Sequence, residues 1–412
     1  MVCSETIKSK SGIGGRLEVQ QKKVLGYCAP WSVAAGDQLD VMVSALVPGD
    51  YQAELVELIC GDSRRHGTGF KELPVTADFA GEYPGREQLL RPGSYARLPE
   101  LPGSHAISFC CLLQPTLLAR DWQPIASGGG LSVVLITGGN LSMRLGGQEV
   151  LRLTRPLQLR RWHLLLATYD ADSGRASLAV RHIGLGIGEL DSSWYEQEVV
   201  AAGHQIEPAD WYLAAGERGG EFTAGLNARI EAPRVVGAVI DAAMADQLLD
   251  VAQPEHSQLF GAWDFAQDIS SSRLVDLSGG ERHGRVFQNP TRAVKGSRWD
   301  GRIQKWTEAP DQYAAIHFHE DDLTDAGWQA DFNWRIPDEL PSGVYAIKLT
   351  LDGSEDYVPF FVKPAATAEK ARVAFLASTA TYVAYANQRL GIGDGIFSAR
   401  TPRTPEEHYL LK

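Results

Sequence analysis

Two tyrosines near residue 385 are the residues of this sequence best suited to chemistry. Tyr382 and Tyr385 lie in the run FLASTATYVAYAN, residues 375–387, which ends at Asn387. A phenol can bind a metal ion as the phenolate, because a bound cation lowers the pKa of its ligand from the usual value of ~10. The two tyrosines are therefore candidates for catalysis or metal ligation. The alternative is a pair of amphipathic-helix residues whose rings lie in a core and whose hydroxyl groups are satisfied locally.

The residues that would position these tyrosines have the pattern of a strand followed by a helix. Residues 373–377 form a continuous apolar run, which is typical of a strand buried on both faces of a parallel sheet. Ser378 follows, and serine at a strand end commonly caps the next helix. Ligands bind beyond the carboxyl ends of strands in open α/β sheets, so the pattern predicts a functional edge here. Too few residues follow for a doubly wound domain, and we expect residues 366–412 to begin an incomplete α/β domain.

A second candidate site is the sequence His317-Phe318-His319, which is followed by Glu320-Asp321-Asp322. Residues i and i+2 of a strand share a face, so both imidazoles could meet one metal ion, with a carboxylate completing the ligand set. The alternative is a strand that ends in a solvated acidic turn. The sequence leaves both interpretations open.

Other motifs are too weak to predict a site. The glycine-rich runs at residues 184–188 and 391–395 lack the GxGxxG spacing of a phosphate-binding loop between a strand and a helix. Two serine and histidine pairs, Ser63 with His66 and Ser378 with His408, lack the GxSxG motif of a nucleophile elbow.

Composition excludes several classes of partner. The 39 Lys and Arg residues against 51 Asp and Glu residues give a net charge of −12, with no basic run, which disfavours nucleic acids and anionic membrane surfaces. The N-terminus has no apolar signal-peptide region, and no run approaches the ~18 apolar residues of a membrane-spanning helix. The five cysteines are irregularly spaced and predict reduced thiols. We therefore expect a cytoplasmic protein.

Strand and turn signals predict a mostly β chain of two to three domains, at ~150 residues a domain. Hairpin turns are indicated at Gly138-Gly139-Asn140, Asp172-Ser173-Gly174 and Asp352-Gly353, and a short helix at residues 241–249. The sequence Arg161-Trp162-His163-Leu164 resembles that of a laminin-G- or concanavalin-like sandwich. The predicted domains are a polar arm at 1–20, an immunoglobulin-like β-module at 21–94, the laminin-G-like β-sandwich at 95–250, and a second β-module at 251–365 that packs with the first.

Seven stretches in the same order along the chain point to one family. They are residues 25–43, 54–71, 263–265, 289–293, 315–319, 342–346 and 375–387. In this combination the sequence resembles the large (beta) subunit family of N,N-dimethylformamidase. The resemblance implies that residues 366–412 begin a class I glutamine amidotransferase-like α/β domain.

The resemblance also implies a reaction and a cofactor. The reaction is the hydrolysis of N-substituted formamides, such as N,N-dimethylformamide, to formate and an amine. The family holds a mononuclear iron with two tyrosines and a glutamate. The iron acts as a Lewis acid and supplies a metal-activated hydroxide that attacks the formyl carbon.

Carried onto this chain, the resemblance places the first tyrosine ligand in TYVAYAN, where we favour Tyr385 over Tyr382. The second tyrosine and the glutamate have no clear match, although Tyr409 lies downstream, and no catalytic residue is assigned. The implied partners are a small amide substrate, a small subunit and other copies of the large subunit. A separate chain could supply the rest of the α/β domain.

Two further functions remain open from sequence. One is a non-catalytic β-sandwich subunit for binding or assembly. The other is an amidotransferase-like hydrolase whose nucleophile lies in the rest of the α/β domain. Only the iron-dependent formamidase hypothesis predicts that a phenolate binds iron, which distinguishes it from these two alternatives.

Overall fold

The computed structural model describes residues 5–8, 18–61, 67–183, 193–201, 203–250, 254–364 and 371–385. The chain divides into two compact units, which are Met1–Leu90 with Asp325–Lys412, and Arg91–Thr324. Strands dominate both units, which confirms the prediction of a mostly β chain. Within the described residues, no helix has both the length and the apolar content needed to cross a membrane.

The strands and α-helices are numbered here in chain order. They are β1 (Glu5–Lys8), β2 (Glu18–Gln21), β3 (Val24–Ala29), β4 (Ser32–Val33), β5 (Gln38–Ala45), β6 (Asp50–Cys60), β7 (Lys71–Val75), β8 (Gly81–Pro84), β9 (Tyr95–Leu101), β10 (Ala106–Pro115), β11 (Gln123–Gly128), β12 (Leu131–Leu135), β13 (Leu141–Leu145), β14 (Gln148–Arg152), β15 (His163–Asp170), β16 (Arg175–His182), β17 (Trp194–Val200), β18 (Ala209–Leu213), β19 (Ala215–Arg218), β20 (Glu221–Ala224), β21 (Ala228–Val236), α1 (Ala242–Asp250), β22 (Leu259–Asp264), β23 (Arg273–Asp276), β24 (Gly284–Phe287), β25 (Thr291–Val294), β26 (Ala315–Phe318), β27 (Phe332–Arg335), β28 (Gly343–Leu351), β29 (Ser354–Val362) and α2 (Thr379–Tyr385). Short 3-10 helices occur at Thr137–Gly139 and Pro310–Tyr313.

The first unit is built from two sheets that share one core. One sheet has the order β27-β5-β3, and the other has the order β4-β29-β28-β6-β7, with β8 beside β6. Alternate residues of β28, such as Ile347 and Leu349, are buried, and so are Val41 and Val43 of β5. These side chains belong to a single apolar cluster, because alternation along a strand places every second residue on the same face. The predicted hairpin turn at Asp352-Gly353 connects β28 to β29, as expected.

The second unit contains a sheet of 16 strands that closes on its own core. Its main order is β14-β13-β12-β11-β18-β9-β24-β23-β22-β21-β10-β15-β16-β17, and β26 and β25 branch from β21. Val133 and Met143, near one end of this order, lie in the same buried cluster as Leu165 and Leu178, near the other end. The sheet therefore folds over so that its two ends face each other across apolar side chains.

Helix α1 covers the outer face of β10 and β15. Its residues Ala245, Leu248 and Leu249 pack with Cys110 and Leu164 in a second, smaller cluster. The helix begins after Asp241, whose Oδ1 accepts a hydrogen bond of 2.8 Å from the backbone N–H of Met244. A carboxylate at this place satisfies one of the N–H groups that have no partner inside the helix. The helix predicted at residues 241–249 is confirmed.

The segment from β22 to β25 is ordered by side chains that bind the backbone. Arg292 donates hydrogen bonds to the carbonyl oxygens of Ser271, Arg273, Phe265 and Gln267, at 2.9 to 3.3 Å. Burial of such carbonyl groups is tolerated only when they are hydrogen-bonded. One guanidinium therefore holds together a stretch in which regular ladders are short.

The prediction of a strand at residues 373–377 is wrong. These residues form no ladder with any described strand, and Val373, Phe375 and Leu376 are 84%, 81% and 92% exposed. A fully apolar strand is stable only between neighbouring strands and under covering helices, and the described residues supply neither. The helix predicted next is present as α2, whereas the α/β domain remains a prediction.

The boundary between the two units, after Thr324, falls within the second β-module predicted at 251–365. Residues on the N-terminal side of Thr324 pair within the second unit, where β22 adjoins β21 and β24 adjoins β9. Residues beyond Asp325 pair within the first unit, where β27 adjoins β5 and β28 adjoins β6.

We expect Arg292→Lys to destabilise the protein by about 2 to 4 kcal/mol, because a single ammonium cannot reach four carbonyl oxygens. Denaturation in urea measures this change. Arg273→Lys is the matched control, because that side chain is exposed, and its effect should stay within about 0.5 kcal/mol. Equal stabilities for the two variants would show that Arg292 is dispensable.

Candidate functional site

Helix α2 supports the two tyrosines that the sequence singles out. Tyr382 is 53% exposed, and its ring lies 6.1 Å, between centroids, from the ring of Phe361 in β29. Tyr385 is the last residue of α2, and its side chain lies outside the description. Asn387 and Tyr409 lie outside the described residues. The structure thus places one of the two phenols on an open surface of the first unit.

A metal site at these tyrosines would need further ligands beside the phenols. In the part of the chain that the structure describes, no three His, Cys, Asp or Glu side chains form a group that could hold a metal ion. Tyr382 would supply one donor of a set of two tyrosines and a glutamate, which needs only one side chain of those four types. An exposed phenol beside an aromatic ring is compatible with that role.

The second candidate is a cluster in the second unit, named here the histidine cluster, that consists of Ser94, Thr116, His317, His319 and Asp322. The rings of His317 and His319 lie 3.8 Å apart, between centroids, at an angle of 49°. His317 lies within β26 and His319 directly follows the strand. The prediction that these two imidazoles share a face is confirmed.

Protein partners occupy the polar atoms of the histidine cluster. The Oδ2 atom of Asp322 accepts a hydrogen bond of 2.6 Å from the Ser94 hydroxyl and lies 3.2 Å from Nδ1 of His319. Nε2 of His317 lies 3.1 Å from the Thr116 hydroxyl. The Ser94 hydroxyl in turn accepts a bond of 3.1 Å from the backbone N–H of His319. The arrangement is a hydrogen-bonded network and not a three-ligand metal group.

The two imidazoles of the network differ in electrostatic surroundings. The hydrogen bond with Asp322 raises the pKa of His319, because the carboxylate favours the charged ring. Burial, with the neighbouring His319, lowers the pKa of His317 to about 4. Near neutral pH, His317 is therefore uncharged and His319 is the ring that gains a proton first as the pH falls.

An ion pair holds the turn that follows the histidine cluster. Arg120 donates from Nε to both carboxylate oxygens of Glu320, at 2.9 and 2.8 Å. The backbone N–H of Glu320 lies 3.4 Å from the side-chain oxygen of Asn227. These contacts fix Glu320 away from the imidazoles, so that Asp322 is the carboxylate that bonds to His319.

The hydrogen-bond partners of the two histidines were not predicted from the sequence. Ser94, Thr116 and Arg120 lie some two hundred residues earlier in the chain. No local spacing connects them to residues 317–322, and only the pairing of strands brings them together. The other motifs considered from sequence, residues 184–188, residues 391–395, Ser63, His66 and His408, lie outside the described residues.

Two curated proteins match this sequence along nearly its whole length. Residues 291–409 match a family model described as N,N-dimethylformamidase beta subunit-like, C-terminal. The chain is 32% identical over 421 residues to the N,N-dimethylformamidase beta subunit of Paracoccus aminophilus, a match that covers 93% of this chain and 54% of that protein. The subunit of the same name from an Alcaligenes species is 32% identical over 424 residues, with the same coverage. The chain thus spans about half the length of the curated relatives it matches.

Likeness to solved structures is lower. A heptameric SAP-like pentraxin from Limulus polyphemus matches with a TM-score of 0.30 and 13% identity, over 43% of this chain and 85% of that chain. Similarity at this level gives no information about function.

We expect Asp322→Asn to lower the pKa of His319, measurable by NMR titration of the imidazole. A raised pKa in the folded state stabilises the protein below the unfolded value of ~6.5, and the gain is lost as the pH rises through the folded pKa. The variant should therefore lose about 1 kcal/mol more stability at about pH 5.5 than at about pH 8.5. The stability contributed by His317 falls as the pH drops from ~6.5 towards 4, because burial lowers its pKa. The charge of Asp322 raises that pKa, so its removal adds to the loss of stability at low pH.

The control for this prediction is Asp172→Asn, which removes the carboxylate of the exposed pair His105 and Asp172. Exposed pairs contribute little, so its effect should differ by less than about 0.5 kcal/mol between the two pH values. If Asp322→Asn behaves like this control, the contact between His319 and Asp322 is not an electrostatic one.

Proposed function

Because this chain is a relative of the N,N-dimethylformamidase beta subunits, we propose that it acts in an amidohydrolase that converts N-substituted formamides to formate and an amine. N,N-dimethylformamide is the substrate that the names of the relatives suggest. The observation that supports this proposal is the match along nearly the whole of this chain. Since the chain spans about half of those relatives, the activity is proposed for an assembly that contains it. The comparisons do not favour a purely non-catalytic subunit.

The proposal includes the finer fold names. The two facing sheets of the first unit support an immunoglobulin-like module, and the closed sheet of the second unit supports a laminin-G-like sandwich. An amidotransferase-like α/β domain would follow α2. Its strands would cover the exposed apolar run at residues 373–376, which the described residues leave open.

We propose that a mononuclear iron binds at helix α2. Tyr385 is the favoured ligand and Tyr382 is the second choice, and their positions lie three residues apart, on one side of the helix. The iron, when bound, would act as a Lewis acid on the formyl carbonyl group. The ring of Phe361 lies beside that of Tyr382, with 6.1 Å between the centroids. The second tyrosine and the glutamate would come from outside the described residues.

Partners and location are part of the same proposal. We expect a small subunit and further copies of the large subunit, in keeping with the beta-subunit names of the relatives. A separate chain could contribute the rest of the α/β domain. A cytoplasmic location agrees with Cys28 and Cys110, whose thiols are buried and whose pKa burial raises to about 12. A thiol with a raised pKa stays protonated near neutral pH and is therefore a poor nucleophile for disulfide exchange.

The experiment compares Tyr385→Phe with Tyr382→Phe in the assembled enzyme, purified without chelators. Removal of a phenolate ligand should abolish iron binding and reduce formate release at least about 100-fold, because metal-assisted catalysis contributes several kcal/mol. Metal analysis, the phenolate-to-iron charge-transfer band and formate release are the three readouts. We expect Tyr385→Phe to lose all three while the assembly remains folded.

The iron contents of the two variants either identify the tyrosine ligand or overturn the proposed site. Loss of iron only in Tyr382→Phe would move the ligand to that residue. Full iron content in both variants would overturn a tyrosine site at α2. The double variant His317→Ala, His319→Ala should keep its iron, because the histidine cluster is already hydrogen-bonded within the protein.

A further inference from the structure

A polar groove in the second unit has no part in the proposed reaction. Its volume is about 560 Å³, within the range of ~300–1,000 Å³ that is usual for small-ligand pockets. The residues that characterise it are Asp121, Trp122, Arg144, Glu149, Arg152 and Arg218, and it is named here the arginine groove. All of these residues belong to the described part of the chain.

Two tight hairpin turns form the rim of the arginine groove. Gly146 and Gly147 join β13 to β14, and Gly219 and Gly220 join β19 to β20, all with φ between 53° and 86°. Glycine adopts this left-handed conformation without strain. A Cβ atom at Gly147, Gly219 or Gly220 would meet no other atom within 4 Å. The rim therefore carries no side chains at these places, and the mouth of the groove remains open.

Ion pairs set the charge of the arginine groove. Arg218 donates to Asp121 at 2.8 Å, and Arg152 donates to Glu149 at 3.0 Å. These hydrogen bonds lower the pKa of both carboxyl groups, which are therefore ionised near neutral pH. With Arg144 and Glu217, three guanidinium groups and three carboxylates line the groove. A ligand with a large net charge of either sign would meet repulsion as well as attraction.

An aromatic ring keeps two of these guanidinium groups in place. The Cζ atoms of Arg144 and Arg218 lie 5.3 and 5.5 Å from the centroid of the Trp122 ring, within the range of cation–π attraction. Arg144 also donates a bond of 2.6 Å to the carbonyl oxygen of Gly147 in the rim. Both side chains are thus positioned before any ligand arrives, which lowers the entropic cost of binding.

Free hydrogen-bonding capacity remains in this positioned set. Arg152 and Arg218 are 55% and 51% exposed, and each uses only part of its five N–H donors on its carboxylate partner. The carboxylates have further lone pairs, so donors and acceptors alternate along the groove. Adjacent hydroxyl groups on a sugar ring both donate and accept hydrogen bonds, and they carry no charge.

We infer that the arginine groove binds a neutral oligosaccharide. The balanced ion pairs disfavour anionic polymers and polycations, and the polar side chains that line the groove disfavour an apolar ligand. A neutral chain of sugar rings satisfies the alternating donors and acceptors at no cost in net charge. This binding site is independent of the formamide chemistry proposed for α2.

The test measures binding of maltohexaose, cellohexaose and xylohexaose to the full chain by titration calorimetry. We expect at least one of them to bind, with affinity that changes little between low and high salt because the ligand is neutral. Arg152→Ala and Arg218→Ala should each weaken binding about ten-fold, as expected for loss of hydrogen bonds from a charged donor. Both side chains are more than half exposed, and thermal melting checks that the variants stay folded.

The matched control is Arg175→Ala, in which the arginine that faces Glu198 at 3.6 Å, outside the groove, is removed. Its oligosaccharide affinity should equal that of the unmodified protein. Absence of binding by all three hexasaccharides would overturn the inference, as would binding that none of the groove variants weakens. Preferential, salt-sensitive binding of a sulfated oligosaccharide would also overturn it, because the groove would then be an anion site.

Discussion

The antiparallel pairing of β6 with β28 is the constraint on which the first unit depends. Its register aligns Leu55 with Ile347 and Ala53 with Leu349, residues from opposite ends of the described chain. All four side chains are buried in the core between the two sheets. The chain between these two strands includes the whole of the second unit, Arg91–Thr324, so this core depends on contacts between residues far apart in sequence. Closure of so long a loop is slow, because its entropic cost precedes the reward of the contacts.

The histidine cluster lies where the chain enters and leaves the second unit. The backbone N–H of Gly93 donates to the carbonyl of Asp322 at 2.9 Å, and that of Ser94 donates to the carbonyl of His319 at 3.0 Å. The side-chain bonds from Ser94 to Asp322 and from Asp322 to His319 reinforce this junction. We therefore interpret the histidine cluster as a set of hydrogen bonds that hold together the two chain ends of the second unit. This role explains why residues with the composition of a metal site form a hydrogen-bonded network instead.

Local patterns predicted what depends on local structure. The turn at Asp352-Gly353 and the short helix at residues 241–249 were both predictable, because a tight turn and a short helix each involve only a few adjacent residues. The partners of His319 were not predictable from local sequence, because Ser94 lies 225 residues earlier in the chain and comes close to His319 only in the folded structure. The apolar run at 373–377 was misread for the complementary reason. Its composition is that of a buried strand, but burial depends on neighbours that the local sequence cannot specify.

The same run determines what can be expected of the tyrosines. Helix α2 has only seven residues, and a helix this short is marginal in water unless it packs against other elements. Beside it, Val373, Phe375 and Leu376 expose an apolar surface of a kind that monomers seldom leave open. This surface directly precedes α2, so an element that packed on it would also restrain α2 and Tyr382. In the proposed enzyme, burial of residues 373–376 would order α2 and so would favour iron binding there.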